Sequence, residues 1–174
     1  MSELQIQFST STAWTSGIIR RLTHSRWSHV DIVLPGEGLL GVSGKDDSIT
    51  DLGGVRIRPF NCWPYLYPPK TARIQTTDAV VRKTIDWGRH QLGVPFDNEA
   101  LWAFLRDRAG MHMTGRAWRD PNSWFCSEFV CRAIEEGGLF TYPLAITKDV
   151  VSPNDVLLLA NPFMTGPNVL EFLS

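Results

Sequence analysis

The sequence contains few cysteines and no excess of charge of one sign. Three cysteines in 174 residues are an odd and low number, which argues against a disulfide scaffold, so we expect free thiols. Seventeen basic and eighteen acidic residues leave a net charge of -1, and the two signs are mixed along the chain. The composition therefore indicates neither a nucleic-acid partner nor an acidic tail.

Long hydrophobic runs are also missing. No apolar stretch approaches the roughly 18 residues that a membrane span needs, and "MSELQIQFSTSTAWTSG" at the start lacks the pattern of a secretory signal. We therefore expect no integral membrane segment and a cytoplasmic location, with phage-encoded or otherwise exported origins left open. The length and the 43% hydrophobic content predict one domain over residues 1–174 with a core of its own.

Periodicity in the remaining sequence predicts a mixed fold. Alternation of apolar and polar residues predicts strands at 4–8, 29–34, 39–44, 53–60 and 72–77, with a last strand at 168–173. Helical spacing predicts helices at 15–25, 78–92, 98–108, 126–136 and 152–160, with a polar loop over 109–122. Because strands are grouped early and helices late, we expect the α+β class.

Two of the three cysteines lie in "WFCSEFVCRAIEEGG", residues 124–138. At 100° per residue, Cys126 shares an inward stripe with Val130 and Ile134, while Cys131 and Glu128 are expected on the other side. Two helix positions five apart cannot bring their sulfurs together for a disulfide or a shared metal. The two cysteines are therefore not a pair.

Cys126 occupies the first turn of this helix, where free N–H groups and the helix dipole stabilise a thiolate. Either Asn122 or Ser123 is expected to cap it. A thiol with an ordinary pKa of about 8.5 is only a few per cent ionised at pH 7, so a nucleophile also needs a basic partner. The helix alone leaves Cys126 open as a nucleophile or as a core cysteine. Cys62 and Cys131 are interpreted as structural.

Among the four histidines, His29 is the best candidate for that partner. It opens a strand, and alternation places His29 and Asp31 on the same face, either as a cleft wall or as a solvated face. The other three (His24, His90 and His112) lie at a helix end, on a helix and in a loop. A metal site of His24, His29 and Cys62 has no recurring ligand spacing, so no metal or cofactor is expected.

Four segments together resemble the circularly permuted papain-like cysteine hydrolases. They are "SHVDIVL" after a short helix, "LGVPFDNE" at 92–99, "FCSEFV" around Cys126 and "VSPNDVLLLA" at 151–160. The group includes permuted NlpC-type amidases, YiiX/YaeF-like proteins and lecithin:retinol acyltransferase-like enzymes. The resemblance implies a papain-like antiparallel sheet or small barrel packed against helices, with Cys126 as nucleophile and His29 as base. It assigns no chemistry to Glu128.

One position departs from the family pattern. The family places a third polar residue on the strand after the histidine strand, which falls near Gly41 in this chain. Ser43 is the nearest polar side chain, and a hairpin with a three-residue loop is expected to pair Ser43 with Asp31 and Lys45 with His29. Asp31 is the other candidate for orienting the histidine.

The resemblance implies a cysteine hydrolase or acyltransferase that cleaves an amide or ester through an acyl-enzyme. Its substrates are then peptides, cell-wall amides or lipid-type acyl compounds. The alternative is a weakly active or inactive binding module on the same fold, which the missing third polar residue favours.

Overall fold

The computed structural model of the chain describes residues 1–44, 53–110, 123–140 and 151–164. The strands are β1 (Ser2–Ser9), β2 (His29–Leu34), β3 (Gly38–Ser43), β4 (Gly54–Arg58) and β5 (Lys70–Thr76). The helices are α1 (Trp14–Thr23), α2 (Asp78–His90), α3 (Asn98–Arg108), α4 (Cys126–Glu136) and α5 (Pro153–Ala160), followed by a 3₁₀ turn at Asn161–Phe163. Each of these β-strands and α-helices overlaps a segment for which the sequence predicts the same type of structure. The strand expected at 168–173 lies outside the described residues.

The five strands form one open antiparallel sheet in the order β4–β3–β2–β1–β5. Sheet and helices together confirm the α+β class. The β2–β3 turn has the expected three residues, 35–37, and Gly36 has a φ of +80° there. No helix in the described part of the chain is long and apolar enough to cross a membrane.

The register between β2 and β3 corrects one expectation. Leu34 pairs with Gly38 directly across the turn, and Ile32 pairs with Leu40. Continuing this ladder places Asp31 opposite Gly41, so the expected pairing of Asp31 with Ser43 is wrong. A shift of two residues keeps every side chain on its face but changes its neighbour.

The core lies between one face of the sheet and the helices. Alternate residues of the central strands, such as Ile6, Ile32 and Leu40, are fully buried against Phe129 and Val130 of α4. Helix α4 contacts β2, β3, α2 and α5, so it is enclosed on several sides. Cys131 and Glu128 are consequently buried as well, and the expectation that they face away from the core is wrong.

Helix ends follow the sequence signals with two exceptions. Thr77 accepts a hydrogen bond from the Val80 N–H at the start of α2, and Ser152 forms a capping box with Asp155 at α5. Helix α2 ends at His90 instead of at residue 92, and Leu92 is 46% exposed. The N-cap of α4 is Phe125 rather than a polar residue, so Ser123 does not cap this helix.

Candidate active site

Cys126 is the first residue of α4 and is 8% exposed. Phe125 before it is extended, and its side chain makes no cap hydrogen bond. The N–H groups of the first turn have no intrahelical acceptor, and the positive end of the helix dipole is concentrated there. The Cys126 sulfur therefore lies where negative charge is stabilised.

The entry to α4 is fixed by the segment around Asp97. The Asp97 N–H donates to the Trp124 carbonyl at 2.9 Å, and the Trp124 N–H donates to the Pro95 carbonyl at 3.1 Å. The Ser123 hydroxyl donates to Asp97 Oδ2 at 2.8 Å. Ser123 is thus engaged by Asp97, which accounts for its absence from the cap.

His29 and Asp31 contact each other at the start of β2. His29 Nε2 lies 3.0 Å from Asp31 Oδ1, and the His29 side chain is 13% exposed while Asp31 is fully buried. The two residues share one face of the strand, as the alternation predicts. Because Nε2 faces Asp31, Nδ1 is the ring nitrogen that is left for a second partner.

The Cys126 side chain is a second group that acts on His29, through its charge and a hydrogen bond. Burial lowers the pKa of His29, but the Asp31 carboxylate and the Cys126 sulfur outweigh it and raise that pKa to about 9. Burial raises the pKa of Asp31, while the neighbouring Arg58 and His29 lower it more, so the carboxyl stays below its ordinary range. The arrangement favours a protonated His29 between the Asp31 carboxylate and a negatively charged Cys126 sulfur.

Arg58, at the end of β4, completes this group and was not found from the sequence. Its Nη2 atom lies 2.5 Å from Asp31 Oδ1 and 3.3 Å from His29 Nε2. The residue is only 7% exposed. The available signal was Gly41, because a glycine inside a strand often marks a close approach of other groups.

A cleft of about 310 Å³ opens beside Cys126 and His29. Trp63 forms one side of the cleft. The centroids of the Trp63 and His29 rings lie 5.0 Å apart with the rings nearly perpendicular, and Arg58 Cζ lies 4.8 Å from the Trp63 centroid. Hydroxyl and apolar side chains supply much of the remaining lining, including Ser11, Thr15, Ser16, Ser28, Ile19, Phe96, Leu101 and Phe125. The lining of the cleft therefore suits uncharged groups beside the Cys126 thiol and the His29 imidazole.

The other candidate residues form no hydrogen bond with His29 or Cys126 among the described contacts, or lie elsewhere. Ser43 lines the cleft but forms no hydrogen bond with His29 among the described contacts. His24 ends α1 in a left-handed conformation, and His90 is exposed with Nδ1 bonded to the Asp86 carbonyl. His112 lies outside the described residues.

The three cysteines are free thiols, as expected from their number. Cys131 is enclosed in the core and Cys62 is partly buried in the loop after β4. Within the described ranges, no group of three His, Cys, Asp or Glu side chains is arranged to hold a metal ion.

Comparison with models of known protein families and with curated protein sequences found no match.

Proposed function

We propose that the chain is a cysteine hydrolase or acyltransferase that forms an acyl-enzyme on Cys126. The observation that carries this proposal is the His29 ring, which contacts Asp31 through Nε2 and the Cys126 side chain at the mouth of a cleft. A nucleophile, a base and a group that orients the base are the three parts that covalent acyl transfer needs.

The chain order supports a permuted papain-like fold. His29 opens a strand of an antiparallel sheet, and Cys126 opens a helix about a hundred residues later, which is the order that the resemblance implies. The "LGVPFDNE" segment adds to this support, since its Asp97 holds the entry to α4. We assign the chain to this fold as part of the same proposal.

The reaction follows from the positions of the three side chains. Transfer of the thiol proton to His29 Nδ1 gives a thiolate beside an imidazolium, and the Cys126 thiolate attacks the carbonyl carbon of an amide or ester. The imidazolium then gives its proton to the leaving amine or alcohol as the C–N or C–O bond breaks. Water, or a second amine or alcohol, attacks the thioester after His29 takes its proton, which releases the acyl group and restores the thiol.

Helix α4 supplies stabilisation of the developing oxyanion. The Cys126 N–H belongs to the first turn of α4, where the backbone donors have no acceptor within the helix. A backbone N–H at this position stabilises negative charge on the carbonyl oxygen of the tetrahedral intermediate. We assign this role to the Cys126 N–H.

The cleft is compatible with the small substrates that the resemblance implies. Its volume of about 310 Å³ lies at the lower end of the range for ligand pockets. A peptide, a cell-wall amide or a lipid-type acyl compound is therefore expected to place one residue or a short acyl group in it.

The alternative of an inactive binding module loses its main support. That alternative depended on the absence of a third polar residue beside the histidine. Asp31 lies at hydrogen-bonding distance from His29, so the chain does carry a carboxylate there.

The test is capture of the acyl-enzyme. The protein is mixed with p-nitrophenyl acetate, quenched in acid and measured by intact mass, with peptide mapping of the modified residue. We expect one acetyl group on Cys126 in the wild type and in Cys62→Ala, and none in Cys126→Ala. Acetylation spread equally over the cysteines, or its persistence in Cys126→Ala, would overturn the proposal.

A further inference from the structure

Arg58 is a buried cation whose contacts converge on the His29–Asp31 pair. Nη2 contacts Asp31 Oδ1 at 2.5 Å and His29 Nε2 at 3.3 Å. Its Nε and Nη1 atoms are buried without a hydrogen-bond partner in the described part of the chain. The guanidinium is thus held by one carboxylate oxygen and by the face of Trp63.

Gly41 is what allows Arg58 to reach Asp31. Strand β3 lies between β2 and β4, and its Gly41 is opposite Arg56 on one side and, by the β2–β3 register, opposite Asp31 on the other. A Cβ atom at Gly41 would collide with Asp31 Oδ1 and would lie 3.3 Å from Arg58 Nη2. The missing side chain on β3 therefore opens the space in which the two charges meet.

Stability is a weak reason for this buried ion pair. Removing two charges from water costs several kcal/mol per ion, and well-packed apolar residues of similar volume often replace such a pair without loss of stability. The shared Oδ1 atom instead connects Arg58 directly to the atom that orients His29. The position of Arg58 on the same Asp31 oxygen as His29 is therefore better explained by a role in the chemistry of His29 than by a contribution to the stability of the core.

We infer that Arg58 is a positioning residue, which holds the Asp31 carboxylate against His29 Nε2 and sets the pH range in which His29 and Cys126 react. The inference rests on the proposed function. Arg58 acts through Asp31 and Trp63, because its own polar atoms face away from solvent.

The direction of the effect follows from the groups around Arg58. They are Asp31 and His29 on β2, Cys126 on α4, and Cys62 and Tyr65 on the loop after β4. Removing a fixed positive charge favours the protonated form of each neighbouring acid or base. Loss of the guanidinium should therefore move the pH profile of Cys126 alkylation to higher pH, whereas a merely structural role would lower the rate without moving the profile.

The test is the rate of Cys126 alkylation by iodoacetamide as a function of pH, which needs no substrate. In Arg58→Gln we expect the rising part of the profile to move by about one unit to higher pH, so that the rate at a given pH on that part falls about tenfold. Arg58→Lys keeps the charge and should restore the position of the profile. Arg89→Gln, which removes an exposed partner of Glu37, is the control with the same change of charge.

Circular dichroism establishes that each variant is folded, and Arg58→Met is the second neutral variant should Arg58→Gln not fold. A folded neutral variant with the wild-type profile would overturn the inference, and so would a slower rate with no shift of the profile along the pH axis. If wild-type Cys126 reacts no faster than Cys62, the proposed function itself fails. If it reacts faster and the neutral variant matches it, only the role of Arg58 fails.

Discussion

His29 Nε2 and Asp31 Oδ1 lie 3.0 Å apart, although both residues belong to one strand. The carboxylate beside the histidine therefore comes from β2 itself. On β3, where the resemblance implies a polar residue, this chain has Gly41, and the free space admits Arg58 to Asp31. The carboxylate that contacts His29 thus lies on β2, and its pairing with Arg58 depends on a glycine on β3.

Asp31→Asn removes the carboxylate charge and keeps the size of the side chain. Asp31 is the largest contributor that raises the pKa of His29 to about 9, so we expect that pKa to fall by roughly 1 to 3 units. The measurement is an NMR titration of the His29 ring, with Asp86→Asn on the exposed side of α2 as control. A His29 midpoint that stays near the wild-type value in Asp31→Asn would remove Asp31 from the site.

Gly41→Ala tests the geometry without changing any charge. The new methyl group would collide with Asp31 Oδ1, so we expect the carboxylate to leave His29 and the alkylation of Cys126 to slow. Gly17→Ala is the control, because nothing lies within 4 Å of a Cβ at Gly17 inside α1. That control should be neutral or stabilising by up to about 1 kcal/mol. Equal alkylation rates in the two variants would argue against the role of Gly41.

His29 should make stability depend on pH in a defined direction. Its pKa in the folded protein, about 9, is above the ordinary value of 6.5, so the folded state binds this proton more tightly than the unfolded state. The resulting stabilisation is fully present below about pH 6.5 and is lost as pH rises through about 9. His29→Gln should therefore lower the free energy of unfolding more at pH 6 than at pH 9.5.

Urea denaturation of the wild type and His29→Gln at both pH values checks this expectation. His90→Gln, which changes an exposed histidine, gives the reference for the pH dependence of the protein as a whole. A loss of stability in His29→Gln that grows with pH would contradict the assignment of charge to His29.

Ser123→Ala removes the hydroxyl that donates to Asp97 Oδ2 at 2.8 Å. A buried hydrogen bond to a charged group contributes about 1.5 to 3 kcal/mol, so we expect the free energy of unfolding to fall by this amount. Because the bond fixes the entry to α4, Cys126 should also react more slowly. Urea denaturation and cysteine labelling measure the two effects, and Ser123→Thr, which keeps the hydroxyl, should lose less. Unchanged stability in Ser123→Ala would mean that the bond contributes nothing.

Local patterns were sufficient to predict the elements of the fold and three residues of the candidate site. Alternation identified β2 and placed His29 and Asp31 on one face, and the helical spacing turned Cys126 inward. These features depend on residues close together in sequence, where periodicity carries the information.

Features that depend on tertiary neighbours were missed. The helical projection has one inward face, whereas α4 has neighbours on several sides, so the burial of Cys131 and Glu128 was not foreseen. Arg58 meets Asp31 across an intervening strand, and only the register of two strand pairs reveals this. Alternation fixes the face on which a side chain lies, but not the residue opposite to it.

The relative reactivity of Cys126 and Cys62 tests the central claim most directly. Cys62 is the more exposed thiol, and burial nevertheless raises its pKa. At about pH 6.5, we expect iodoacetamide to modify Cys126 at least about tenfold faster than Cys62, because the helix start and His29 stabilise its thiolate. Peptide mapping of a time course gives both rates in one sample. Modification of Cys62 at the same rate as Cys126, or faster, would contradict the assignment of Cys126 as an activated nucleophile.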